Sequence, residues 1–556
     1  GQWVPILADP GADPEKGTGA VMCCTFGDTA DVAWWKTHRL PIRVVLDRAG
    51  RLTGLAGEFA GLPALEARAR IVEALRAAGL HRGARSITQT VRVHERCDTP
   101  VEYVVMEQWF ARVLDFKAEL LAAGAQVKWH PPHMEARFRE WVEGLAWDWC
   151  LSRQRTFGVT FPVWYCDACG AVLVADEDEL PVDPTTRGPA RPCACGGTAF
   201  TPETDVMDTW ATSSLTPQIV GQLLDDPALY AQVFPFSLRP QAHEIIRTWA
   251  FYTIVKSWHH FRAIPWRDAA ISGWGLAPEG AGKISKSRGG GPMSPQEMLE
   301  NFGADAVRYW TSSAGFGRDS VIDVQKIEMG AKLVTKLWNV ARFAERFIAP
   351  DPDHEAPGCY VTSSLSPADR WILAGAQRLI RRATEAFLAY DYAAAKHETD
   401  AFFWRDFADN YLEMAKLRLY AGDPAARGTL HTVLLVLLKL FAPFFPHITE
   451  EIYQGLFAAE EGAISIHCSA WPRPDARFDD AAALAVGEAL VEIATTVRRY
   501  KSERGLALSA ELAELRITAD AALAAQLAAA EEDLRSITRA KGVVVEKGDA
   551  LSVSLA

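Results

Sequence analysis

The apolar positions in the second half of this 556-residue chain follow a helical period. Between 331 and 475 they recur every three or four residues, and one such face consists of Ile372, Ala376, Leu379, Ala383 and Phe387. That spacing predicts a bundle of amphipathic helices. The apolar run 433–445 is broken by Lys439 and Pro443 and is too short to cross a bilayer, which predicts a buried helix instead.

The first half of the chain has a mixed pattern. Residues 106–275 alternate strand-like and helical segments, which predicts an α/β domain. Residues 1–105 contain two strand-like runs, 42–46 and 87–93, and one helical stretch, 65–78. We therefore expect a mixed or mostly β module at that end of the chain.

The tail, 476–556, follows a proline-rich boundary at 471–474. It combines a basic helical pattern near 497–504 with an alanine-rich helical segment and short strand-like runs. This pattern predicts a small α/β appendage.

Composition narrows the class of protein. At 556 residues the chain favours several domains, and 49% hydrophobic with 23% charged residues is typical of a soluble globular protein. The net charge of −12 argues against nonspecific coating of nucleic acid, although a local basic face can still bind RNA. No secretory signal is visible, which favours the cytoplasm, and the cysteines are expected as thiols or metal ligands. We also expect a monomer without a membrane partner.

Cysteines at close spacing interrupt the α/β pattern between 166 and 198. The spacings Cys166-x-x-Cys169 and Cys193-x-Cys195 provide four thiolates on two short turns, as in a zinc ribbon. Glycines next to both turns permit the tight backbone that such a ribbon needs. Four unrelated buried thiols are the alternative interpretation.

A glycine-flanked loop carries the string Lys283-Ile284-Ser285-Lys286-Ser287. Two lysines three residues apart on a hinged loop suit closing on a triphosphate as charge builds during loss of pyrophosphate. A helix is predicted directly after the loop, with Ser294 as N-cap, Pro295 as first residue and Glu297 completing a capping box. A solvated basic turn is the alternative for the lysine pair alone.

This string resembles the Lys-Met-Ser-Lys-Ser signature of class I aminoacyl-tRNA synthetases, with Ile284 in place of Met. Segments 147–155 and 205–210 are similar to blocks of the isoleucyl, leucyl and valyl group, and 239–249 resembles its valyl members. The resemblance covers nearly all of 10–505. It implies ATP-dependent ligation of valine to tRNA(Val), with Mg²⁺ accompanying ATP.

The resemblance also implies roles for individual residues. It implies an α/β fold in which 106–275 is the second half of a Rossmann-like catalytic domain, 166–198 a structural zinc ribbon and 276–330 the signature loop with a stem-contact region. It places the catalytic loop residues at Lys283, Ser285, Lys286 and Ser287, and ATP contacts at Lys286, His243 and Glu244. It places the amino-acid pocket at Trp210, Ile245 and Trp249.

Independent of the resemblance, Ile245 and Trp249 are four residues apart and would share one face of a single helix. With Trp210 they could wall an apolar slot that fits a small branched side chain. Ordinary core packing is the alternative interpretation of this spacing.

Residues 1–105 resemble part of the editing domain of the same group. A valine pocket cannot strongly reject threonine, and valyl-tRNA synthetases are a known example of this limit. The resemblance places the aminoacyl ammonium contact at Asp31, with Asp28 beside it. A solvated turn is the alternative interpretation of the two acidic residues alone. The chain departs from the group's pattern at Phe26-Gly27, where Ala-His is expected, and at Met22, where some relatives carry lysine.

The helical region 331–475 resembles the anticodon-binding bundle, through the blocks 336–343 and 441–451. The resemblance implies tRNA(Val) as a partner. Cations that could contact tRNA phosphates are Arg378, Arg381, Arg382, Lys416 and Arg418. For any one of them, a plain exposed cation is the favoured alternative.

The printed sequence lacks the His-Ile-Gly-His element that holds ATP phosphates in class I enzymes. The one H-x-x-H string, His130 to His133, has no glycine. With Gly1 rather than Met at its start, the chain is expected to begin inside the editing insertion and to be inactive alone. The alternative is a complete but degenerate paralogue that binds tRNA or a partner without forming adenylate.

Overall fold

A computed structural model describes residues 3–24, 26–88, 90–94, 97–277, 293–348 and 365–555. The chain divides into two compact units. The first unit comprises Gly1–Val113 and Trp147–Thr209, and the second comprises Leu114–Ala146 and Trp210–Ala556.

The regular elements alternate between helices and strands up to about residue 320, and helices dominate from there to about 505. The α-helices are α1 (Thr29–His38), α2 (Ala64–Ala77), α3 (Lys117–Gln126), α4 (Glu135–Glu143), α5 (Thr209–Ser213), α6 (Thr216–Val220), α7 (Pro227–Val233), α8 (Trp249–Phe261), α9 (Pro295–Phe302), α10 (Ala304–Thr311), α11 (Val324–Ile348), α12 (Pro367–Leu388), α13 (Tyr392–Ala401), α14 (Leu412–Tyr420), α15 (Pro424–Phe441), α16 (Pro446–Leu456), α17 (Ala458–Glu461), α18 (Ala481–Glu503), α19 (Ala521–Ala529) and α20 (Glu531–Thr538). The strands are β1 (Phe110–Ala111), β2 (Lys128–His130), β3 (Trp149–Cys150), β4 (Ser152–Arg153), β5 (Val163–Cys166), β6 (Val172–Val174), β7 (Phe200–Pro202), β8 (Val206–Met207), β9 (Phe236–Ala242), β10 (Trp266–Ser272), β11 (Gly275–Leu276), β12 (Ser320–Val321), β13 (Leu512–Ala519), β14 (Ala540–Lys547) and β15 (Ser552–Leu555). A π-helical stretch, Phe402–Tyr411, joins α13 to α14.

The start of the first unit has fewer strands than its sequence predicts. The helix predicted at 65–78 is confirmed as α2. The runs 42–46 and 87–93, however, form only isolated bridges in the described residues, such as Leu46 with Leu52 and Val93 with Pro100. Strand-forming side chains need a paired neighbouring strand to be covered, and here Ile87 stays 66% exposed.

The rest of the first unit contains small antiparallel sheets. β5 lies between β6 and β7 in a three-stranded sheet, β1 pairs with β3, and β4 pairs with β8. Trp164 at the centre of β5 is almost fully buried and provides the core of the three-stranded sheet. Cys166 ends this same strand, so the cysteine cluster is built on a packed support.

The second unit begins with a parallel sheet in the order β2-β10-β9. The helix α8 connects β9 to β10, which is the βαβ arrangement that the alternating pattern predicts. Ala269, Ala270 and Ile271 of β10 are buried, as expected for a central parallel strand covered on both faces. The α/β class predicted for this region is confirmed.

Helices pack around one core from 324 onward. Ile372, Ala376, Leu379 and Ala383 on α12 are all at most 4% exposed, which confirms the predicted apolar face. α15 is long and apolar enough to cross a membrane by composition, but 67% of it is buried inside the protein. It is the buried core helix that the run 433–445 predicts.

The helix predicted after the lysine loop is α9, and its capping box is confirmed. The Ser294 hydroxyl accepts a hydrogen bond from the Glu297 amide at 3.2 Å, and the Glu297 carboxylate accepts one from the Ser294 amide at 2.6 Å. Pro295 is the first helical residue, where its missing N–H costs nothing.

The tail forms the predicted α/β appendage, with the sheet order β14-β13-β15. The alanine-rich segment is two helices, α19 and α20, rather than one. Arg418 on α14 lies against α20 and is 6% exposed, with its guanidinium bound to Asp369 and Asp533 at 2.7 Å each. The suggestion that Arg418 contacts tRNA phosphates is therefore wrong, because its donors are engaged inside the protein.

Candidate functional site

The carboxyl ends of the parallel strands bring several sequence-predicted residues together. Ala242 at the end of β9 pairs with Ser272 at the end of β10, and His130 ends β2 on the other side of β10. His243 and Glu244 follow β9 directly. Ligands of open parallel sheets bind at this edge, so it is the first candidate for a substrate site.

Ile245 and Trp249 do not lie on one continuous helix. Ile245 belongs to a short 3-10 helix, His243–Arg247, whereas Trp249 is the first residue of α8. Thr248 between them has φ −118° and ψ −85°, which breaks the helical hydrogen-bond pattern. The shared face expected from their four-residue spacing is therefore wrong, although both side chains remain half-buried at the same edge of the sheet.

Trp249 is held by the short helix that also carries Trp210. The Trp249 indole N–H donates to the carbonyl of Ser213, the last residue of α5, at 2.9 Å. Trp210 is the second residue of α5, and it is half-buried like Trp249. A hydrogen-bonded, half-buried indole offers a flat apolar wall to a small side chain, while its polar N–H is already satisfied.

His243 is 9% exposed and has defined partners. Its Nε2 lies 3.3 Å from Asp319 and its Nδ1 lies 3.4 Å from Arg137, while its ring packs on Trp274 at 4.6 Å between centroids. The Trp274 backbone N–H lowers the pKa of the Asp319 carboxyl, which favours a permanent negative charge beside the imidazole. Glu244 is half-buried next to it.

Arg239 and Gln241 on β9 are the site residues that sequence reasoning missed. Each is 7% exposed, and they alternate with Pro240 so that both lie on the same face of the strand. Among the described residues, Nε and Nη2 of Arg239 and both amide atoms of Gln241 have no hydrogen-bond partner. The signal in the sequence is a polar residue at every second position, 239, 241 and 243, along β9 and into the turn that follows it.

The lysine string cannot be placed relative to this edge, because Lys283, Ser285, Lys286 and Ser287 lie outside the described residues. The described chain resumes at Met293, directly before the Ser294 cap of α9. Their catalytic role stays a prediction.

The predicted cysteine cluster is assembled in the first unit. The four Sγ atoms lie within 4.8 Å of one another, with Cys166 to Cys195 at 3.7 Å and Cys169 to Cys193 at 3.6 Å. A tetrahedral zinc with bonds of 2.3 Å separates its sulfur ligands by about 3.8 Å, whereas a disulfide needs about 2.05 Å. The spacing and the all-thiol donor set therefore fit a four-coordinate zinc site.

Backbone turns explain this spacing. Gly170 and Gly196 have φ of +71° and +83°, a conformation that glycine adopts without strain. Their amides donate to the carbonyls of Cys166 and Cys193, each at 2.8 Å, and so close the two turns.

The start of α1 has two distinct carboxylates, Asp28 directly before the helix and Asp31 in its first turn. Asp28 is the N-cap of α1, because its Oδ1 accepts from the amides of Ala30 and Asp31 at 2.8 and 3.1 Å. Asp31 is 8% exposed, and its Oδ2 accepts from the Gly27 amide at 2.7 Å. A cleft of about 340 Å³ lies beside them and is lined in part by Phe26, Gly27 and Arg43.

Comparison with known proteins gives the family. A family model described as "tRNA synthetases class I (I, L, M and V)" matches residues 28–323, and one described as "Anticodon-binding domain of tRNA ligase" matches 369–517. Among solved structures, the methionyl-tRNA synthetase of Mycobacterium tuberculosis in complex with methionyl-adenylate is 19% identical, with a TM-score of 0.48 over 71% of this chain and 73% of that one.

Curated relatives that carry the name valine–tRNA ligase match this chain over nearly its whole length. The protein of Methanopyrus kandleri is 45% identical over 98% of this chain, which spans 59% of the length of that relative. The protein of Rickettsia rickettsii (strain Sheila Smith) is 40% identical over 100% of this chain and 69% of its own length. This chain belongs to the valine–tRNA ligase family of the class I tRNA synthetases.

Proposed function

We propose that this chain provides the amino-acid pocket, the lysine loop and the tRNA-binding helices of an enzyme that joins valine to tRNA(Val). The observation that carries the proposal is the half-buried Trp249, fixed through Ser213 beside the helix of Trp210, at the carboxyl edge of a parallel sheet in a chain of this family. Valine and ATP form valyl-adenylate and pyrophosphate, and the valyl group then passes to the tRNA with release of AMP.

The proposal includes roles for individual residues. Trp210, Ile245 and Trp249 wall the valine side chain, and His243 with Glu244 contacts the nucleotide ribose. Lys283 and Lys286, with Ser285 and Ser287, close on the phosphates of ATP, which binds with Mg²⁺. Lysine cations placed where charge develops lower the barrier by stabilising the transition state.

Zinc at Cys166, Cys169, Cys193 and Cys195 has a structural role in this proposal. Four protein thiolates fill a tetrahedral ion and leave no position for substrate or water. The metal would hold the turns after β5 in place by linking segments that are separated by 23 residues of loop and strand between Cys169 and Cys193.

Editing of threonyl-tRNA(Val) is assigned to the two carboxylates at the start of α1. Asp31 is the residue that would pair with the ammonium of the misplaced threonine, whereas the Asp28 carboxylate already caps α1. Asp31→Ala should let threonyl-tRNA(Val) accumulate while valine activation stays near normal. Unchanged deacylation by Asp31→Ala would end the editing assignment and leave the ligase assignment intact.

The larger organisation is part of the same proposal. Residues 1–105 are part of an editing domain, 331–475 bind the anticodon region of tRNA(Val), 476–556 are an appendage, and the enzyme works as a cytoplasmic monomer. The basic residues that remain exposed on the bundle, such as Arg378 and Arg382, are candidates for phosphate contacts.

Aminoacylation tests the proposal directly. The protein produced from the whole gene should attach radiolabelled valine to a tRNA(Val) transcript, and it should leave a transcript of another isoacceptor family uncharged. Binding of tRNA(Val) without any charging would instead support the degenerate paralogue. Charging with a different amino acid would overturn the assignment of the pocket.

A further inference from the structure

Arg239 lies between two tryptophan rings next to the amino-acid pocket. Its guanidinium carbon is 3.0 Å from the centroid of the Trp249 ring and 4.9 Å from that of Trp266. A planar guanidinium stacks on an indole face in a way that a lysine ammonium cannot. One face of the Trp249 ring is thus covered by a side chain from the neighbouring strand β9.

Burying the Arg239 guanidinium without an ionic partner costs free energy of folding, and a purely structural role does not explain that cost. Arg239 is 7% exposed, and burial lowers the pKa of its guanidinium to about 9, so the group is charged at neutral pH without a carboxylate partner among the described residues. An apolar side chain of similar length would fill the space between two indoles without this desolvation cost. A rigid, flat contact with Trp249 is the property that arginine adds.

We propose that Arg239 is a positioning residue that fixes the plane of the Trp249 ring and thereby sets the size of the amino-acid pocket. This inference rests on the proposed function, because the proposed function assigns the pocket to valine. The ring is held at two points: Arg239 covers one face, and the Ser213 carbonyl accepts the indole N–H at the edge. The half-buried remainder of the ring is the surface that meets the substrate side chain.

The consequence is a limit on pocket size. Isoleucine exceeds valine by one methylene, and discrimination against one methylene in an apolar pocket is about 10- to 200-fold. That discrimination requires the Trp249 ring to keep its orientation when a larger side chain enters the pocket. If the guanidinium is removed, the hydrogen bond to Ser213 alone leaves the ring free to tilt about its edge, and the pocket admits the larger side chain.

Amino-acid-dependent exchange of pyrophosphate into ATP tests the inference in the whole-gene protein. The quantity measured is the ratio of kcat/KM for valine to that for isoleucine. In Arg239→Lys, which keeps the charge, and in Arg239→Met, which keeps the length, this ratio should fall about tenfold. Most of the loss for valine should appear in KM, with kcat changed less than about threefold.

A partly unfolded variant would reduce both rates equally and leave the ratio unchanged, so the ratio separates positioning from stability. Arg262→Met is the matched control, because Arg262 packs over Trp258 at 5.6 Å at the exposed end of the same helix. It should keep the parent ratio. A parent ratio in Arg239→Lys alone would show that the charge, and not the planar contact, sets the ratio, and it would overturn the inference. A parent ratio in both variants would overturn it as well.

A crystal structure of Arg239→Met separates this inference from the proposed function. If the parent activates no valine, the proposed function fails, but the structure still reports on the ring. A Trp249 ring tilted away from its parent plane supports the positioning role. A ring in the parent orientation overturns it, whatever the substrate.

Discussion

Two arginines in the second unit are almost equally buried but have opposite surroundings. Arg418 in the helical region is 6% exposed and binds Asp369, Asp423 and Asp533. Arg239 on the parallel sheet is 7% exposed and faces two indoles, with two of its nitrogens unpartnered among the described residues. Burial alone would lower the pKa of both, but the Asp369 and Asp533 carboxylates raise that of Arg418.

The difference separates a structural group from a functional one. A buried ion pair with all donors engaged links helices and is strongly destabilised when one partner is removed. Buried polar atoms without partners lower the stability of the fold and persist mainly where a site needs them. By this criterion Arg418 holds the appendage to the bundle, whereas Arg239 fits the positioning role that we propose for it at β9.

The largest effect is expected at the cysteine cluster, whose four Sγ atoms lie at the spacing of tetrahedral zinc ligands. The protein should contain about one zinc per chain, and Cys193→Ser should lose it, because structural zinc sites bind with about 10 kcal/mol or more. Elemental analysis after gel filtration measures this. Cys468→Ser, an exposed thiol outside the cluster, should keep the metal. Zinc retained by Cys193→Ser, or absent from the parent, would contradict the assignment.

Arg418→Met should lower the free energy of unfolding by about 3–5 kcal/mol, because it leaves buried carboxylates uncompensated. Urea unfolding followed by circular dichroism measures the change. The control is Arg382→Met, which removes an exposed pair with Glu398 and should cost no more than about 1 kcal/mol. Equal losses in the two variants would remove the contrast between the buried and exposed arginines.

Asp533, whose carboxylate binds Arg418, should make the free energy of unfolding depend on pH. Burial raises the pKa of Asp533 to about 6, although Arg418 opposes the shift. The folded state therefore binds this proton more tightly than the unfolded state, and the stability from Asp533 falls as pH rises from about 4 to about 6. Asp533 also faces Asp369 and the Ser366 hydroxyl.

Asp533→Asn should remove this pH dependence. The difference in free energy of unfolding between parent and variant should change by about 2 kcal/mol across that window. Urea unfolding at pH 4.5 and at pH 7 measures it. A parallel pH dependence in the two proteins would show that Asp533 ionises normally.

The smallest expected effect is on the stability of Arg239→Met. Its free energy of unfolding should lie within about 1 kcal/mol of the parent, since an apolar side chain replaces a charge that has no ionic partner. The same urea assay used for Arg418→Met measures it. A loss as large as that of Arg418→Met would mean that Arg239 is structural and would remove the contrast between the two sites.

The features that the sequence predicts correctly are local ones. The capping box at Ser294, the face of α12 and the cysteine cluster each depend on residues a few positions apart or on two short turns. Backbone geometry converts such spacings into positions without help from distant parts of the chain. Family motifs extend the prediction to non-local structure, because a recognised motif identifies residues that come together only in the fold of that family.

The features that the sequence does not predict depend on distant partners. The two buried carboxylates of Arg418, Asp369 and Asp533, lie 49 and 115 residues away, so the sequence near 418 does not show that this arginine is buried. Thr248 breaks a helix that the spacing of Ile245 and Trp249 favours, because β9 must turn sharply into α8. The runs 42–46 and 87–93 have strand-forming residues but pair only at single bridges.

The central claim, that the pocket at Trp249 selects valine, is tested most directly by pyrophosphate exchange with a set of amino acids. For the whole-gene protein, valine should give the highest kcat/KM, with threonine lower by about two powers of ten. Lys286→Ala should raise the barrier for valine by about 2 to 4 kcal/mol, with little change in valine binding. Exchange that is independent of valine, or faster with isoleucine than with valine, would contradict the account.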